Sequence, residues 1–175
     1  MSWSAKTMPL KKLISVEQYL ATSYRPDCDY VDGRIEERNL GELDHSSLQT
    51  AVAVYFGSRQ KQLGITVVVE QRVQVSPTRF RIPDVCVVLG KATEQIFRTP
   101  PFLCVEILSP EDRMKRVQER IDDYLAMGVH YVWVFDPSGP RVYVATAADG
   151  LHEFKGDVLR TENPVLELPL AEVFA

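Results

Sequence analysis

The apolar positions of this 175-residue chain recur with two different periods. Between residues 44 and 64 they lie three or four residues apart, which predicts an amphipathic helix. Asp44 or Ser46 can cap its start, and Gly64 ends it where a left-handed C-cap is favoured. The three apolar runs that follow are short and rich in β-branched residues, and they predict strands at 66–75, 81–89 and 102–108.

A second helix is predicted directly after the third strand. Ser109 is a good N-cap, Pro110 suits the first helical position, and the acidic residues that follow suit the positive end of a helix. Gly128 would close it, and the run YVWVFD at 131–136 then predicts a further strand. The buried stripe of this helix would comprise Met114, Val117, Ile121, Tyr124 and Leu125.

The order of elements from residue 44 to 136 is therefore α-β-β-β-α-β. The first three strands can pair as an antiparallel meander, and the crossover through the second helix should be right-handed. A helix opening at Ser15, a hairpin turning at Asp32-Gly33 that looks peripheral, and strands near 141–147 and 151–154 extend this core. We expect an α/β (α+β) fold with a mixed central sheet flanked by helices. A single domain should span residues 1–175, with its core at about 44–136.

Composition narrows the class of protein. With 45% hydrophobic and 25% charged residues, the chain is typical of globular proteins. No apolar run approaches the roughly 18 residues that span a bilayer, and the start lacks the apolar region of a signal peptide. We therefore expect a cytoplasmic protein without a membrane segment. Three cysteines without CxxC spacing argue against a disulfide framework and a thiolate zinc site, and Cys86 and Cys104 should be core residues.

Two of the predicted strands carry a carboxylate in the middle of an apolar run. Asp84 lies in IPDVCVV and Glu106 in FLCVEIL, and an unpaired buried carboxylate costs several kcal/mol. If the two strands pair, a register that places Asp84 beside Glu106 is simple. Such a pair suits a hard cation such as Mg²⁺, which takes one or two carboxylates plus water and phosphate. The metal would lower the pKa of a bound water, so the sequence predicts a metal-dependent nuclease site.

The second predicted helix supplies cations near these carboxylates. Helical spacing puts Arg120 at the edge of the buried face, from which it can reach the carboxylates and stabilise charge on a scissile phosphate. The alternative is a salt bridge that only satisfies a buried charge. The net charge of −4 gives no general attraction to nucleic acid. A local basic face, or else a solvated helix face, is formed by Arg113, Lys115, Arg116 and Arg120.

Other candidate site residues carry weaker signals. Glu70 ends a predicted strand, where glutamates are usually solvated, although it is a possible third acid. His45 is interpreted as a surface residue of a helix start, and Asp29 as a turn residue that can instead fold back toward the site. No P-loop, GxGxxG or GxSxG occurs, which excludes these nucleotide-binding and serine-hydrolase motifs.

Several motifs together resemble a bacterial domain family, abundant in cyanobacteria, that is labelled putative restriction endonuclease. The matching pieces cover most of residues 15–137, and this family belongs to the PD-(D/E)XK nuclease superfamily. The resemblance implies a restriction-endonuclease-like core with Asp84 and Glu106 as the two motif acids. The pieces are DYVDGRI at 29–35, HSSL at 45–48, RIPDV at 81–85, VEILSP at 105–110, and QERIDDYLAMGV at 118–129 followed by YVWVFDP.

The resemblance also implies a function. It indicates an endonuclease that hydrolyses DNA with Mg²⁺ or Mn²⁺, acting as a homo-oligomer, most simply a dimer. Asp84, Glu106 and the Ile107 carbonyl would be the metal ligands, with Arg120 steadying the phosphate. Asp29 matches the family's acid before the Asp-Gly turn.

The chain departs from the motif at one position. Leu108 stands where the motif has lysine, and Arg120 takes the place of a lysine on the following helix. An arginine is always protonated and cannot act as a base. The alternative function is therefore a catalytically inactive nuclease-like domain that binds nucleic acid or a protein partner.

Overall fold

The structure is a computed structural model that describes residues 12–39 and 41–174. The expectation about a signal peptide rests on the first residues, most of which lie outside this part. In chain order the elements are α1 (Val16–Leu20), β1 (Cys28–Val31), β2 (Arg34–Glu37), α2 (Leu43–Gly57), α3 (Gln60–Leu63), β3 (Ile65–Val69), β4 (Val73–Ser76), β5 (Arg79–Arg81), β6 (Val85–Leu89), β7 (Leu103–Ile107), α4 (Met114–Met127), β8 (Tyr131–Asp136), β9 (Arg141–Thr146), β10 (Gly150–Phe154), β11 (Val158–Arg160), β12 (Glu167–Pro169) and a short 3-10 helix (Leu170–Glu172).

A six-stranded mixed sheet forms the centre of the molecule, in the order β10-β9-β8-β7-β6-β3. Strands β3, β6 and β7 pair as an antiparallel meander, and β7 pairs in parallel with β8 after the crossover through α4. The α+β class and the predicted order of core elements are therefore confirmed. The additional strands β9 and β10 extend the sheet by antiparallel pairing, as predicted.

Two predicted strands are each divided between sheets. The run predicted as one strand at 66–75 leaves the central sheet after β3, where Glu70 adopts a positive φ of 49°, and continues as β4 in another sheet. The run 81–89 is likewise divided at Pro83 and Asp84, between β5 and β6. Proline has no N–H to donate to a ladder, so it favours such a break. Asp84 therefore precedes a strand and does not lie within one.

The second sheet contains four strands in the order β2-β1-β5-β4. The N-terminal hairpin pairs through Tyr30 and Phe80 with β5, and both rings pack on the buried Tyr19 of α1. The prediction that this hairpin is peripheral is wrong. It is held by aromatic packing next to the start of β6, which brings its polar residues to the candidate site. The capping box predicted at Ser15 is present.

The boundaries of the two main helices differ from those predicted. The first predicted helix is interrupted after Gly57, and its N-cap, Glu42, makes no side-chain cap hydrogen bond. The second helix, α4, begins at Met114 and not at Ser109. Residues 109–112 instead form a closed turn, because the Asp112 carboxylate accepts from the Ser109 N–H at 2.8 Å while the Asp112 N–H donates to the Ser109 carbonyl. The left-handed C-caps predicted at both helix ends, Gly64 and Gly128, are present.

The two main helices cover opposite faces of the central sheet. Val52 and Phe56 of α2 belong to a core cluster with Trp133, whereas Val117 and Ile121 of α4 pack into a second cluster. This burial on both faces explains why the central strands are almost wholly apolar. The three cysteines are buried and free, with Cys86 and Cys104 in the second cluster as predicted, while Met114 is 58% exposed and lies outside the stripe predicted for it. No helix among residues 12–39 and 41–174 is long and apolar enough to cross a membrane.

Candidate active site

The two carboxylates singled out from the sequence lie side by side. The pairing of β6 with β7 aligns Val85 with Val105, so the next position in this register places Asp84 opposite Glu106. Both are buried, with 1% and 3% of their surface exposed, yet both border a cavity of about 290 Å³. Ile107 borders the same cavity, so the structure brings the three predicted metal ligands together.

Asp84 is held as an anion by three neighbours. Its Oδ1 lies 2.7 Å from Nη2 of Arg38 and 3.4 Å from Nε2 of His45, and its Oδ2 accepts from the Ile107 N–H at 2.7 Å. Burial alone would raise the pKa of Asp84. The hydrogen bond from His45 and the charge of Arg38 outweigh this effect and lower the pKa below its usual value. Asp84 is therefore ionised at neutral pH.

Glu106 has the opposite electrostatic balance. Its Oε1 accepts from the Tyr124 hydroxyl at 2.6 Å, and its Oε2 lies 3.1 Å from Nε of Arg120. Burial and the neighbouring charge of Asp84 raise the pKa of Glu106 to about 7, although Arg120 acts in the other direction. The pair therefore carries between one and two negative charges near neutral pH, and a cation that binds both carboxylates would displace a proton.

Arg120 lies between two carboxylates. Its guanidinium reaches Glu106, and its Nη2 lies 3.4 Å from Oδ1 of Asp112, the residue that closes the turn before α4. Only 17% of the Arg120 side chain is exposed. In this structure Arg120 thus makes the salt bridge that balances a buried charge, at a place that still borders the cavity.

One residue of the site was missed from the sequence, and a second was placed at the surface. Arg38 follows β2 directly, and its contact with Asp84 spans 46 positions in the chain. His45 was interpreted as a surface residue, which is wrong, because its side chain is 13% exposed and contacts Asp84 from the first turn of α2. The hydrogen bond to Asp84 raises the pKa of His45 despite its partial burial. A signal for Arg38 was available, because Arg38 lies two residues after Glu36 and residues two apart in an extended segment point to the same side.

Asp29 has a structural role different from the turn role expected. It is 4% exposed, its Oδ1 accepts from the Ile82 N–H at 3.1 Å, and its Oδ2 lies 3.1 Å from Nη1 of Arg81. Arg81 is also buried and reaches Glu36 at 3.0 Å and Asp123 of α4 at 2.8 Å. These four residues connect the small sheet to the helix that carries Arg120 and Tyr124. Burial raises the pKa of Asp29, while the charge of Arg81 opposes the shift.

The remaining candidates lie at the border of the site or away from it. Glu70 is exposed, as expected, and lines a separate cavity on the other side of Asp84. Of the predicted basic face, Arg113 and Arg116 are exposed and border the cavity with both carboxylates, whereas Lys115 does not border it. Leu108 is half-buried and packs against the core cluster under α4.

The donor set fits a hard divalent cation that keeps part of its water shell. Asp84 and Glu106 offer carboxylate oxygens, and Ile107 offers a carbonyl. Within the part of the chain that the structure describes, no group of three or more His, Cys, Asp or Glu residues is arranged to hold a metal ion. Mg²⁺ does not need such a group, because it commonly binds through one or two carboxylates with water and phosphate completing its shell.

Glu106 should make the metal-free protein more stable in mild acid. Between its ordinary pKa near 4.5 and the value of about 7, the native carboxyl keeps a proton that the unfolded chain has lost. The free energy of unfolding therefore falls as the pH rises through this window. Relative to Glu106→Gln, we expect the wild type to lose about 1–3 kcal/mol between about pH 5 and about pH 8. Urea unfolding at several pH values across this range measures the free energy of unfolding of both proteins. If that free energy changes with pH equally in the two proteins, the raised pKa assigned to Glu106 is contradicted.

Comparison with known proteins adds two findings. A family model described as "Putative restriction endonuclease" (Uma2) matches residues 16–174. The crystal structure of a putative nuclease of DUF820 from Anabaena variabilis is similar with a TM-score of 0.78 and 23% sequence identity. The match covers 92% of this chain and 97% of that chain, and at this identity it shows a common fold. No curated protein matches this chain.

Proposed function

The chain belongs to the Uma2 family of putative restriction endonucleases, and from this we propose that it is a metal-dependent endonuclease that hydrolyses phosphodiester bonds in DNA. One observation carries the proposal. Two buried carboxylates, Asp84 and Glu106, meet at one cavity that Ile107 also borders, and together they offer the oxygen donors that a hard divalent cation takes. The family description and the nuclease-like fold agree with this interpretation.

The cofactor proposed for this site is Mg²⁺ or Mn²⁺. Asp84 and Glu106 would hold it through their carboxylates, with the Ile107 carbonyl as a third ligand. The bound cation would lower the pKa of a coordinated water and neutralise charge on the phosphate. All three donors are oxygens, which these hard cations prefer over nitrogen or sulfur.

The side chains around the pair have separate roles in this proposal. Arg120 is permanently charged, so it stabilises negative charge on the phosphate and does not accept a proton. Its guanidinium pairs with Glu106 and borders the cavity, so a phosphate bound there would lie within its reach. His45 acts as a positioning residue, because its Nε2 lies 3.4 Å from Oδ1 of Asp84 and supports the ionised form of that carboxyl.

DNA would approach over the N-terminal end of α4. Arg113 and Arg116 are exposed there and border the cavity, where they can contact phosphates on either side of the scissile bond. The acidic residues Glu37 and Glu111 border the same cavity, and the chain as a whole carries a net charge of −4. DNA binding should therefore depend strongly on the divalent cation. The expected homodimer stays a prediction.

A second candidate function follows from the one position at which this chain departs from the nuclease motif. Leu108 takes the position of the motif lysine, and the arginine at position 120 is already paired with Glu106. A domain that has lost cleavage but keeps the fold would bind nucleic acid or a protein partner instead. The two functions differ in whether a phosphodiester bond is broken, which an assay of DNA products decides.

The direct test is incubation of purified protein with supercoiled circular plasmid in Mg²⁺, in Mn²⁺ and in EDTA. We expect nicked and linear products with either metal and none in EDTA, because the proposed reaction needs the cation. The circular plasmid has no ends, so an exonuclease would not produce these species. Glu106→Gln should lose the activity, whereas Glu153→Gln on the edge strand β10 should keep it. Cleavage in EDTA or by Glu106→Gln would overturn the assigned site. Absence of cleavage with either metal, on plasmid and on linear DNA, would favour the binding domain.

A further inference from the structure

Among the residues that the structure describes, Arg38 is the one guanidinium that contacts Asp84 directly. Its Nη2 lies 2.7 Å from Oδ1 of Asp84, and among the described residues this is its ion-pair partner. About 20% of the Arg38 side chain is exposed, compared with 2% for Arg81, which three carboxylates surround. Arg38 is thus the less constrained of these two arginines, and its position next to Asp84 is the place that a metal ion would have to share.

The space around Arg38 allows it to move. It borders the cavity of about 290 Å³ that contains both carboxylates and also a second cavity of about 270 Å³ on the other side of Asp84. It stands just beyond the last residue of β2, Glu37, and is followed by the exposed Asn39. A rotation of its side chain therefore needs no repacking of a core residue.

The charges of the site show why it would move. With both carboxylates ionised, Asp84 and Glu106 carry two negative charges, and Arg38 and Arg120 carry two positive charges. A divalent cation bound between the carboxylates would take over both negative charges, which would leave Arg38 without its carboxylate partner, whereas Arg120 keeps Asp112. An arginine does not lose its proton, so Arg38 then favours another anion, and the planar guanidinium is suited to phosphate oxygens.

We propose that Arg38 is a substrate-binding residue that neutralises Asp84 while no metal ion is bound and moves onto a DNA phosphate when a divalent cation occupies the site. This inference rests on the proposed function. It assigns Arg38 two successive partners, a carboxylate and then a phosphate. Metal binding and DNA binding are thereby coupled, because the cation releases the group that holds the substrate.

Substitution of Arg38 should therefore change the affinity for a divalent cation and the affinity for DNA in opposite directions. Arg38→Gln removes a competitor for Asp84 and a like charge next to the metal, so the free protein binds a divalent cation more tightly. The same substitution removes a phosphate contact, so the metal-loaded protein binds DNA more weakly. A purely structural ion pair would change the stability of the protein and would not weaken DNA binding.

The experiment measures both affinities for the same set of proteins. Mn²⁺ alone is titrated calorimetrically, and a short duplex oligonucleotide is titrated by fluorescence anisotropy in Ca²⁺. For Arg38→Gln we expect the Kd for Mn²⁺ to fall about tenfold and the Kd for DNA to rise about tenfold. Arg34→Gln, an exposed substitution on β2, the strand that precedes Arg38, should change each Kd by less than about twofold. Arg38→Lys keeps the positive charge but loses the planar set of N–H donors of the guanidinium. It should leave the Mn²⁺ affinity near wild type and weaken DNA binding.

Each result assigns or removes a role. Wild-type DNA affinity in Arg38→Gln would overturn the contact with substrate, and unchanged Mn²⁺ affinity would overturn the competition for Asp84. If Arg38→Gln does not fold, Arg38→Lys decides the question, since equal DNA affinity in that variant overturns the proposal. Failure of the proposed function itself has a different signature, namely that Asp84→Asn binds Mn²⁺ as tightly as the wild type.

Discussion

Replacing Asp84 with asparagine is expected to reduce metal-dependent DNA cleavage by about a thousandfold or more. Asparagine keeps the size of the side chain but removes the negative charge that would hold the cation. The charge stabilisation that a bound metal supplies is worth several kcal/mol, and each 1.4 kcal/mol is a factor of about ten in rate. The initial rate of plasmid nicking in Mg²⁺ measures the loss.

The loss must be separated from unfolding, because Asp84 also accepts from the Ile107 N–H and pairs with Arg38. Far-ultraviolet circular dichroism and the melting temperature serve as the folding check. Asp157→Asn makes the same chemical change at an exposed position in the turn before β11 and should keep the wild-type rate. A nicking rate for folded Asp84→Asn within about tenfold of wild type would remove Asp84 from the site.

Replacing Arg81 with methionine is expected to lower the free energy of unfolding by about 3–5 kcal/mol. Methionine fills a similar volume, but the substitution leaves the buried carboxylate of Asp29 without its ion-pair partner and also removes a partner of Glu36 and Asp123. Breaking a buried ion pair by removing one partner is costly because the other charge stays buried. Urea unfolding followed by tryptophan fluorescence measures the change.

Arg79 provides the matched control for this prediction. It lies two residues earlier on β5 and shares Asp123 as a partner, but its side chain is 36% exposed. Exposed ion pairs contribute little, so Arg79→Met should cost about 1 kcal/mol or less. Equal losses for the two variants would show that burial does not decide the contribution of Arg81.

The arrangement of the two acids was readable from the sequence. Strands that follow each other in the chain usually pair, and side chains alternate along a strand, so Asp84 and Glu106 had a simple register in which to meet. Within the six-stranded sheet the order of core elements follows from the same local patterns. The position of Leu108 followed from the motif alone and needed no structure.

The rest of the site depends on contacts between distant parts of the chain. Arg38 meets Asp84 because the N-terminal hairpin packs on β5, and His45 meets it because α2 packs on the central sheet. No periodic pattern marks either contact. The continuous apolar run at 66–75 concealed a change of sheet, since residues buried in either sheet read alike. The start of α4 was misplaced because a Ser-Pro-Glu-Asp sequence suits both a helix cap and the closed turn that is present.

The electrostatics of the pair could not be inferred from residue types either. Two carboxylates of similar ordinary pKa are pushed apart, Asp84 downward and Glu106 upward to about 7. The difference arises from their partners, since Asp84 contacts Arg38, His45 and a backbone N–H, whereas Glu106 has a tyrosine hydroxyl and one guanidinium. Metal binding should consequently weaken below about pH 7, as protons compete for Glu106.

Calorimetric titration of Mg²⁺ into the wild type, Asp84→Asn and Glu106→Gln tests the central claim most directly, that these two carboxylates form a divalent metal site. The proposed site predicts saturable binding to the wild type and binding weaker by at least about tenfold in each variant, with all three proteins folded. The claim is contradicted if both variants bind Mg²⁺ as tightly as the wild type, or if the wild type cleaves DNA without binding Mg²⁺.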